Sequence, residues 1–424
     1  MILVQSGFII SPLNAQNVYI PDPNFKAFLV QAYDLNQDQE ISFFEASHVF
    51  GTIDGINRGF TDITGIEAFI NVSFLYFSYN QLTFLPDLTP MINLEILFCA
   101  VNQLDTLPLL PDSLMQIDVS DNQITHLENP LPKGISYISF NNNFLVELPS
   151  LQYLSALSFL HLASNQLTTI PALPDSLIGL YVEANLLETI PADLPPLFDL
   201  HVPENNIQDL PALPDTLMEL NCRANLLTKL PKLPENLTQL SCGSNYLTDL
   251  PALPASLKGI VIDHNLFETL PDMTNLTALT ALTCAQNFLS EIDSLPPNLE
   301  FLDCSDNALS FLPELPETLT NLACSSNYLT NLPALPPFMF MLICNRNQLS
   351  ELPELPPFLT SLLECRNNLL QNSDCIILED FSNDNLYQGN PILYFWPAPN
   401  HQITDLIHMM AQGYVYKLNC SLSL

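Results

Sequence analysis

The chain has very little positive charge. Ten lysines and arginines stand against 45 aspartates and glutamates, for a formal net charge of −35 over 424 residues. Binding to phosphate backbones needs clustered Lys and Arg, so nucleic acid is excluded as a partner. Anionic membrane surfaces are disfavoured for the same reason, whereas the acidic balance suits solubility, cations or basic partners. No stretch reaches the roughly 20 apolar residues that span a bilayer, so the chain is not expected to be an integral membrane protein. It has no GxSxG, HExxH, P-loop or GxGxxG signature, and its seven histidines do not cluster along the sequence. Without a nucleophile–base pair or phosphate cradle in view, no enzyme is expected. No CxxC spacing occurs among the ten cysteines, which argues against a soft-metal site.

What is present is a period. Asparagine recurs fifteen times at intervals of 20 to 22 residues: Asn80, Asn102, Asn122, Asn143, Asn165, Asn185, Asn205, Asn225, Asn245, Asn265, Asn287, Asn307, Asn327, Asn347 and Asn368. Leu, Ile or Phe follows each by two residues, and an apolar or thiol side chain precedes each by three. A fixed period of this length marks a solenoid, in which each unit packs only on its neighbours. In the unit PKLPENLTQLSCGSNYLTDL, Leu240 and Cys242 are two apart and point to one side of a short strand. Asn245 turns the chain, its amide able to serve backbone groups that the turn leaves unpaired. The LPxLP phrase, as at Pro171/Pro174 and Pro251/Pro254, returns the chain extended on the far side, because proline cannot join a central sheet. The units leading to Asn102, Asn165 and Asn287 are 22 residues long and lack the second Leu-Pro, so their return segments are expected to form a turn of helix or 3-10 helix.

The pattern LxxLxCxxNxLxxLPxLP resembles the leucine-rich repeat, in the short proline-bearing form of bacterial effectors and surface proteins. The resemblance covers about residues 72 to 370. It implies an α/β-type repeat solenoid, a horseshoe with a parallel sheet on its concave face, extended, polyproline or 3-10 segments on the convex face, and a small helical cap at the N-terminus. Effectors with such repeats can carry a ubiquitin-ligase domain with a CxD motif. The 54 residues after the repeats are not expected to hold one, and Cys304-Ser305-Asp306 falls on the core ladder.

Eight cysteines (Cys99, Cys222, Cys242, Cys284, Cys304, Cys324, Cys344 and Cys365) occupy one repeat position, which other units fill with Phe77, Val119, Phe140, Leu162, Val182, Val202 and Ile262. A slot shared with Phe, Val, Leu and Ile is a core slot, so these cysteines are expected to be free buried thiols. Cys375 and Cys420 lie outside it and are the one pair to consider for a disulfide.

Residues 1–16 read as the remnant of a secretory signal peptide: a short apolar stretch with a small-residue exit near Ala15 and no basic leader. Residues 17–71 form the N-terminal cap, which resembles the region preceding the repeats in secreted leucine-rich proteins of Bacteroidetes-type bacteria. Within it, Asp34, Asn36, Asp38, Glu40, Ser42 and Glu45 stand at positions 1, 3, 5, 7, 9 and 12 of an EF-hand loop. They predict a structural calcium site, with Gln39 where the turn wants glycine; the alternative is an acidic capping loop without an ion. Residues 371–424 read as a C-terminal cap and tail, with Trp396 packing in it.

The residue four before each ladder asparagine alternates away from the core and is expected on the concave face. In the middle of that stripe stand His161, Tyr181 and His201, with Tyr137, Phe159 and Glu183 two residues away on the same face. Aromatic, imidazole and carboxylate groups on one rigid sheet are typical contact residues. The expected function is recognition of a protein or glycan by a secreted or cell-surface protein, in adhesion or host interaction, without catalysis. The alternatives are a delivered effector that scaffolds host proteins and a self-assembling structural surface protein.

Overall fold

The computed structural model describes residues 16–359 and 362–370, together with the backbone of Leu378–Glu379 and Lys417–Leu418, which pair antiparallel. The expected signal remnant, the Cys375/Cys420 pair and Trp396 lie outside the described residues. The chain divides into two compact units, one ending at Asn206 and one beginning at Ile207.

The first unit opens with helix α1 (Pro23–Tyr33) and the short helix α2 (Phe43–Ser47). Asp22 starts α1 by accepting the N–H groups of Asn24 and Phe25 at 2.8 and 3.0 Å, and Pro23 suits the first helical position because its missing N–H would have had no partner. The other Asp22 oxygen accepts the N–H and hydroxyl of Thr61, each at 2.8 Å, and so ties the cap to the chain ahead of the repeats. Phe25 and Leu29 are fully buried, and the Phe25 ring stands edge-on to Phe60 and Phe77 at 5.2 and 5.9 Å. That cluster covers the apolar end which the first repeat would otherwise present to water.

Eight parallel strands follow in chain order: β1 (Gly51–Asp54), β2 (Val72–Tyr76), β3 (Ile96–Phe98), β4 (Gln116–Asp118), β5 (Tyr137–Ser139), β6 (Phe159–His161), β7 (Gly179–Tyr181) and β8 (Asp199–His201). The second unit repeats the arrangement in β9 (Glu219–Asn221), β10 (Gln239–Ser241), β11 (Gly259–Val261), β12 (Ala281–Thr283), β13 (Phe301–Asp303), β14 (Asn321–Ala323), β15 (Met341–Ile343) and β16 (Leu362–Glu364). From β3 onward each strand is three residues long, and its middle residue enters the core: Leu97, Ile117, Ile138, Leu160, Leu180 and Leu200 are all essentially inaccessible. The register of β1 on β2 shifts between Gly51 and Thr52, whereas the strands of the repeats pair residue for residue, as in His161↔Tyr181↔His201.

The asparagines work as the period requires. The Nδ2 group of Asn185 donates to the carbonyls of Leu162, in the preceding repeat, and Val182, at 2.9 and 3.1 Å; its Oδ1 accepts the N–H of Leu167 at 3.0 Å. One side chain thus satisfies buried backbone groups of two successive turns. The residue before each ladder asparagine has positive φ, from Tyr79 at 62° and Val101 at 57° through Asn367 at 57°, and none of the fifteen is glycine. On the convex side the second proline of each phrase accepts an N–H from three residues on, as from Leu177 to Pro174 and from Leu237 to Pro234. The longer units make two such turns in succession, Met91 to Leu88 and Leu94 to Met91, without extending into a helix. The eight ladder cysteines are buried and free, as a core slot demands.

Candidate functional site

The open face of the first unit carries a row of four rings. Tyr137 leans across the small, buried Ser139 toward His161, with ring centroids 5.2 Å apart. His161 lies face to face with Tyr181 at 4.4 Å and an interplanar angle of 2°, and Tyr181 meets His201 at 4.9 Å and 46°. The spacing follows from the fold, since residues in register on neighbouring parallel strands lie about 4.8 Å apart, close to the stacking distance of two planar rings. The Tyr181 hydroxyl donates to Asp199 Oδ2 at 3.0 Å, which fixes the far end of that ring.

Beside the row, Gln116, Ser136, Tyr137, Ser158, Phe159, His161 and Tyr181 line a cleft of about 640 Å³. Gly179 makes it possible. A Cβ there would stand 2.7 Å from Phe159 and 2.9 Å from Tyr181, so only glycine lets both rings settle over β7.

Burial sets the electrostatics. It pushes the Tyr137 phenol up, with Asp118 adding to it and Ser139 opposing. It holds His161 below the ordinary imidazole value against the pull of Asp118, and it lowers His201 further than Asp199 can restore, with His161 adding to the decrease. Both imidazoles are thus held toward the neutral form. Glu183 moves the other way: burial raises its carboxyl, Glu204 adds to the rise, and its own backbone opposes it. Glu183 Oε2 is inaccessible and has no hydrogen-bond partner.

Of the six residues expected at this face, the structure brings Tyr137, Phe159, His161 and Tyr181 to one cleft, sets His201 tilted against the far side of Tyr181, and places Glu183 two residues beyond Tyr181. Sequence reasoning set Asp118 on the same stripe as His161 and missed Gly179, Gln116 and Asp199. Laying the repeats over one another at the first strand position would have shown Gly179 as a gap between two rings.

The acidic loop of the N-terminal cap is drawn together by its own hydrogen bonds. Asp34 accepts the N–H groups of Gln37 and Gln39 at 2.7 and 3.0 Å, and Asp38 accepts that of Glu40 at 2.9 Å. Gln39 takes the left-handed conformation, φ 67°, that the missing glycine would have taken. Glu45 is buried as the capping-box residue of α2. Burial opposes its ionisation, but hydrogen bonds from Ser42, Leu35 and Asn36 hold its carboxyl below the ordinary value. The Lys26 ammonium pairs with Glu40. Among the described residues, no group of three His, Cys, Asp or Glu side chains is placed to hold a metal ion.

The structure is similar to YopM, described as a leucine-rich effector protein of Yersinia pestis, with 34% identity over 75% of this chain and 84% of that one and a TM-score of 0.63. The belonging is decided by that match. The chain is a member of the bacterial leucine-rich-repeat proteins. YopM of Yersinia enterocolitica is 33% identical over 71% of this leucine-rich-repeat chain and 75% of its own, with a TM-score of 0.59. The functional domain of InlJ from Listeria monocytogenes, described as including a cysteine ladder, is 26% identical over 78% and 70%, with a TM-score of 0.61. No family model matches the chain, and no curated protein matches its sequence. No helix among the described residues of this leucine-rich-repeat protein is long and apolar enough to cross a membrane.

Proposed function

We propose that this is a non-catalytic recognition protein that binds a protein partner through the row Tyr137, His161, Tyr181 and His201 and the adjoining cleft. The observation that carries the reading is the closed stack of His161 on Tyr181. Stacking sugars or cations need an open ring face. Here the two faces cover each other and the row offers ring edges, a phenol and imidazole nitrogens, groups that suit the mixed polar and apolar surface of a protein better than a glycan.

Secretion or display on the cell surface is part of the proposal and rests on the leader-like first residues. The second reading, a delivered effector, is favoured by the likeness to YopM, and its setting in a reducing cytosol suits eight free thiols. Affinity capture from host surface and cytosolic extracts separates the two. The intact protein is compared with a His161→Ala/Tyr181→Ala/His201→Ala variant of equal thermal stability. A protein retained by the first and lost by the second supports the assignment, and its compartment chooses between surface and effector roles. Equal retention moves the site off the row. Capture of the chain by itself alone favours a self-assembling surface component.

A further inference from the structure

We propose that the second unit carries a docking site of its own, separate from the ring row, for a basic amphipathic helix of a protein partner, seated along the exposed row Leu226, Tyr246, Leu266, Phe288 and Tyr328.

The row starts from the repeat. Each of its residues directly follows a ladder asparagine, and the next residue enters the core, as Leu227, Leu247 and Phe267 do. Alternation in an extended segment turns the row outward. Its exposure runs from 38% at Leu226 to 60% at Phe288. The fold asks for nothing apolar there. Repeats of the first unit place Gln81, Gln103, Gln123 and Gln166 at the same position, and Phe144 and Leu186 stand singly between glutamines or asparagine. In the second unit four successive repeats carry Leu, Tyr, Leu and Phe. Where Ala308 interrupts them, Phe311 stands exposed three residues on in the same repeat, and Tyr328 resumes the row. An apolar surface continued from repeat to repeat without serving the core marks a place for a partner.

Backbone hydrogen bonds fix the spacing. Tyr246 donates its N–H to the Leu227 carbonyl at 2.8 Å, Leu266 to that of Leu247 and Phe288 to that of Phe267, both at 2.9 Å. The row therefore advances by about one strand spacing, about 4.8 Å, per repeat. A helix presents one face about every 5.4 Å, a mismatch of about 0.6 Å per repeat that side chains absorb over four repeats. Same-side residues of a strand recur about every 6.7 Å and fall out of step by the second repeat. A polyproline helix turns once in about 9.3 Å and serves only alternate repeats. The occupant that meets every member of the row is a helix with apolar residues one turn apart.

The rim sets the charge. Three or four residues beyond the ladder asparagines, Asp249, Glu268 and Glu291 are exposed beside the row. Lys229 is the one base at those positions in the repeats of the row, and its ammonium is turned to Asp209 at 3.2 Å. A helix with lysine or arginine flanking its apolar face meets complementary charge. An acidic helix or an anionic bilayer is repelled, and a second copy of this chain brings the same acidic rim to the same place.

The test is fluorescence anisotropy at about 0.15 M ionic strength, where the screening length is about 8 Å. The probe is a labelled leucine–lysine peptide of about five helical turns, with its leucines one turn apart. Its controls are a scramble of the same composition and a version with glutamate for lysine. The full chain is compared with Tyr246→Gln/Phe288→Gln and with Phe144→Gln, which makes the same change at the same repeat position in the first unit. All variants keep the net charge of −35, so non-specific attraction is constant. Glutamine is native at this position in other repeats, and thermal melts check that the fold holds; if the double variant melts early, Leu266→Gln is read in its place. The expected result is binding of the patterned lysine peptide, weakened about tenfold or more by Tyr246→Gln/Phe288→Gln and less than about twofold by Phe144→Gln. The scramble and the glutamate peptide are expected to bind at least about tenfold more weakly than the patterned one. Equal binding of the patterned peptide and either control, equal effects of the two variants, or no binding of any peptide overturns the proposal. The ring row is unchanged in every variant, so such a failure leaves the first site standing.

Discussion

His161 and Tyr181 share a stack, with ring planes 2° apart and centroids 4.4 Å apart, on adjacent strands in register. The phenol ring is part of what keeps water from the imidazole, and burial is the leading cause of the lowered His161 value. Removing the ring in Tyr181→Ala is expected to move the His161 titration upward, toward the ordinary histidine range near 6.5. Proton NMR of the imidazole Cε1–H checks it. An unchanged or lower midpoint would show that the stack does not set the protonation state.

Val101 is the costliest of the left-handed residues, because a β-branched side chain crowds the backbone at φ 57°. Asparagine tolerates that conformation. The expected effect of Val101→Asn is a gain of about 1 kcal/mol, or about 1 °C in a thermal melt of a protein of 424 residues. Ala184→Gly, at φ 52°, is expected to change in the same direction.

The ladder amide of Asn185 serves the Leu162 and Val182 carbonyls and the Leu167 N–H. Asn185→Ala leaves three buried backbone groups without partners, at about 1 kcal/mol or more each. A loss of about 3 kcal/mol or more in denaturant unfolding is expected. Asn185→Asp is expected to lose nearly as much, since a carboxylate accepts from Leu167 but cannot donate to the carbonyls.

Burial pushes the thiols of Cys222 and Cys344 up to about 12, with Cys365 and Glu364 adding to the rise at Cys344. The thiolate is the reactive species, so at pH 8 the ladder thiols are silent toward a disulfide reagent. The sequence has ten cysteines, and eight stand in the ladder, so at most two react before unfolding. Titration in denaturant should then reveal the rest. Cys304→Val is expected to be tolerated, because Val119, Val182 and Val202 fill the same slot elsewhere.

Calcium at the cap loop is proposed on the EF-hand spacing of Asp34, Asn36, Asp38, Glu40 and Glu45, with Gln39 in the left-handed conformation; the side chains of the described structure do not themselves converge on an ion. An ion that binds only the folded state adds about 1.4 kcal/mol at ten times its dissociation constant. A melting temperature raised by calcium, and returned by chelator or by Asp34→Ala, is the expected outcome. Identical melts would assign the loop to the capping box of Ser42 and Glu45 alone.

The fold was legible because one side chain does one job at every repeat. Asn80 to Asn368 face the same backbone groups, and no other residue type offers both donor and acceptor in that reach. Alternation placed His161, Tyr181 and His201 on one face for an equally simple reason, the two-residue period of a strand. The left-handed residues were hidden because Tyr79, Val101, Glu204 and His264 have no chemistry in common; the turn imposes their conformation. The cleft was hidden because it depends on ring rotation and on a glycine, Gly179, whose meaning appears only when Phe159 and Tyr181 lie over it. The longer return segments read as a turn of helix or 3-10 helix, and each makes two successive three-residue turns that go no further, since a few residues between strands are too short for a helix to propagate.

Each strand from β3 onward commits its middle residue to the core, and the flanking positions stay at least partly exposed except where a small residue such as Ser139, Gly179, Ser241, Gly259 or Ala323 stands there. Scaffold and ligand preference are thus written in separate letters of the same repeat. On the proposed reading, drift at Tyr137, Phe159, His161 or Tyr181 retargets the surface while Ile138, Leu160 and Leu180 keep the architecture, and duplication of a whole repeat lengthens the reading frame without disturbing either. A lineage carrying such a chain can change what it recognises faster than it changes how it folds.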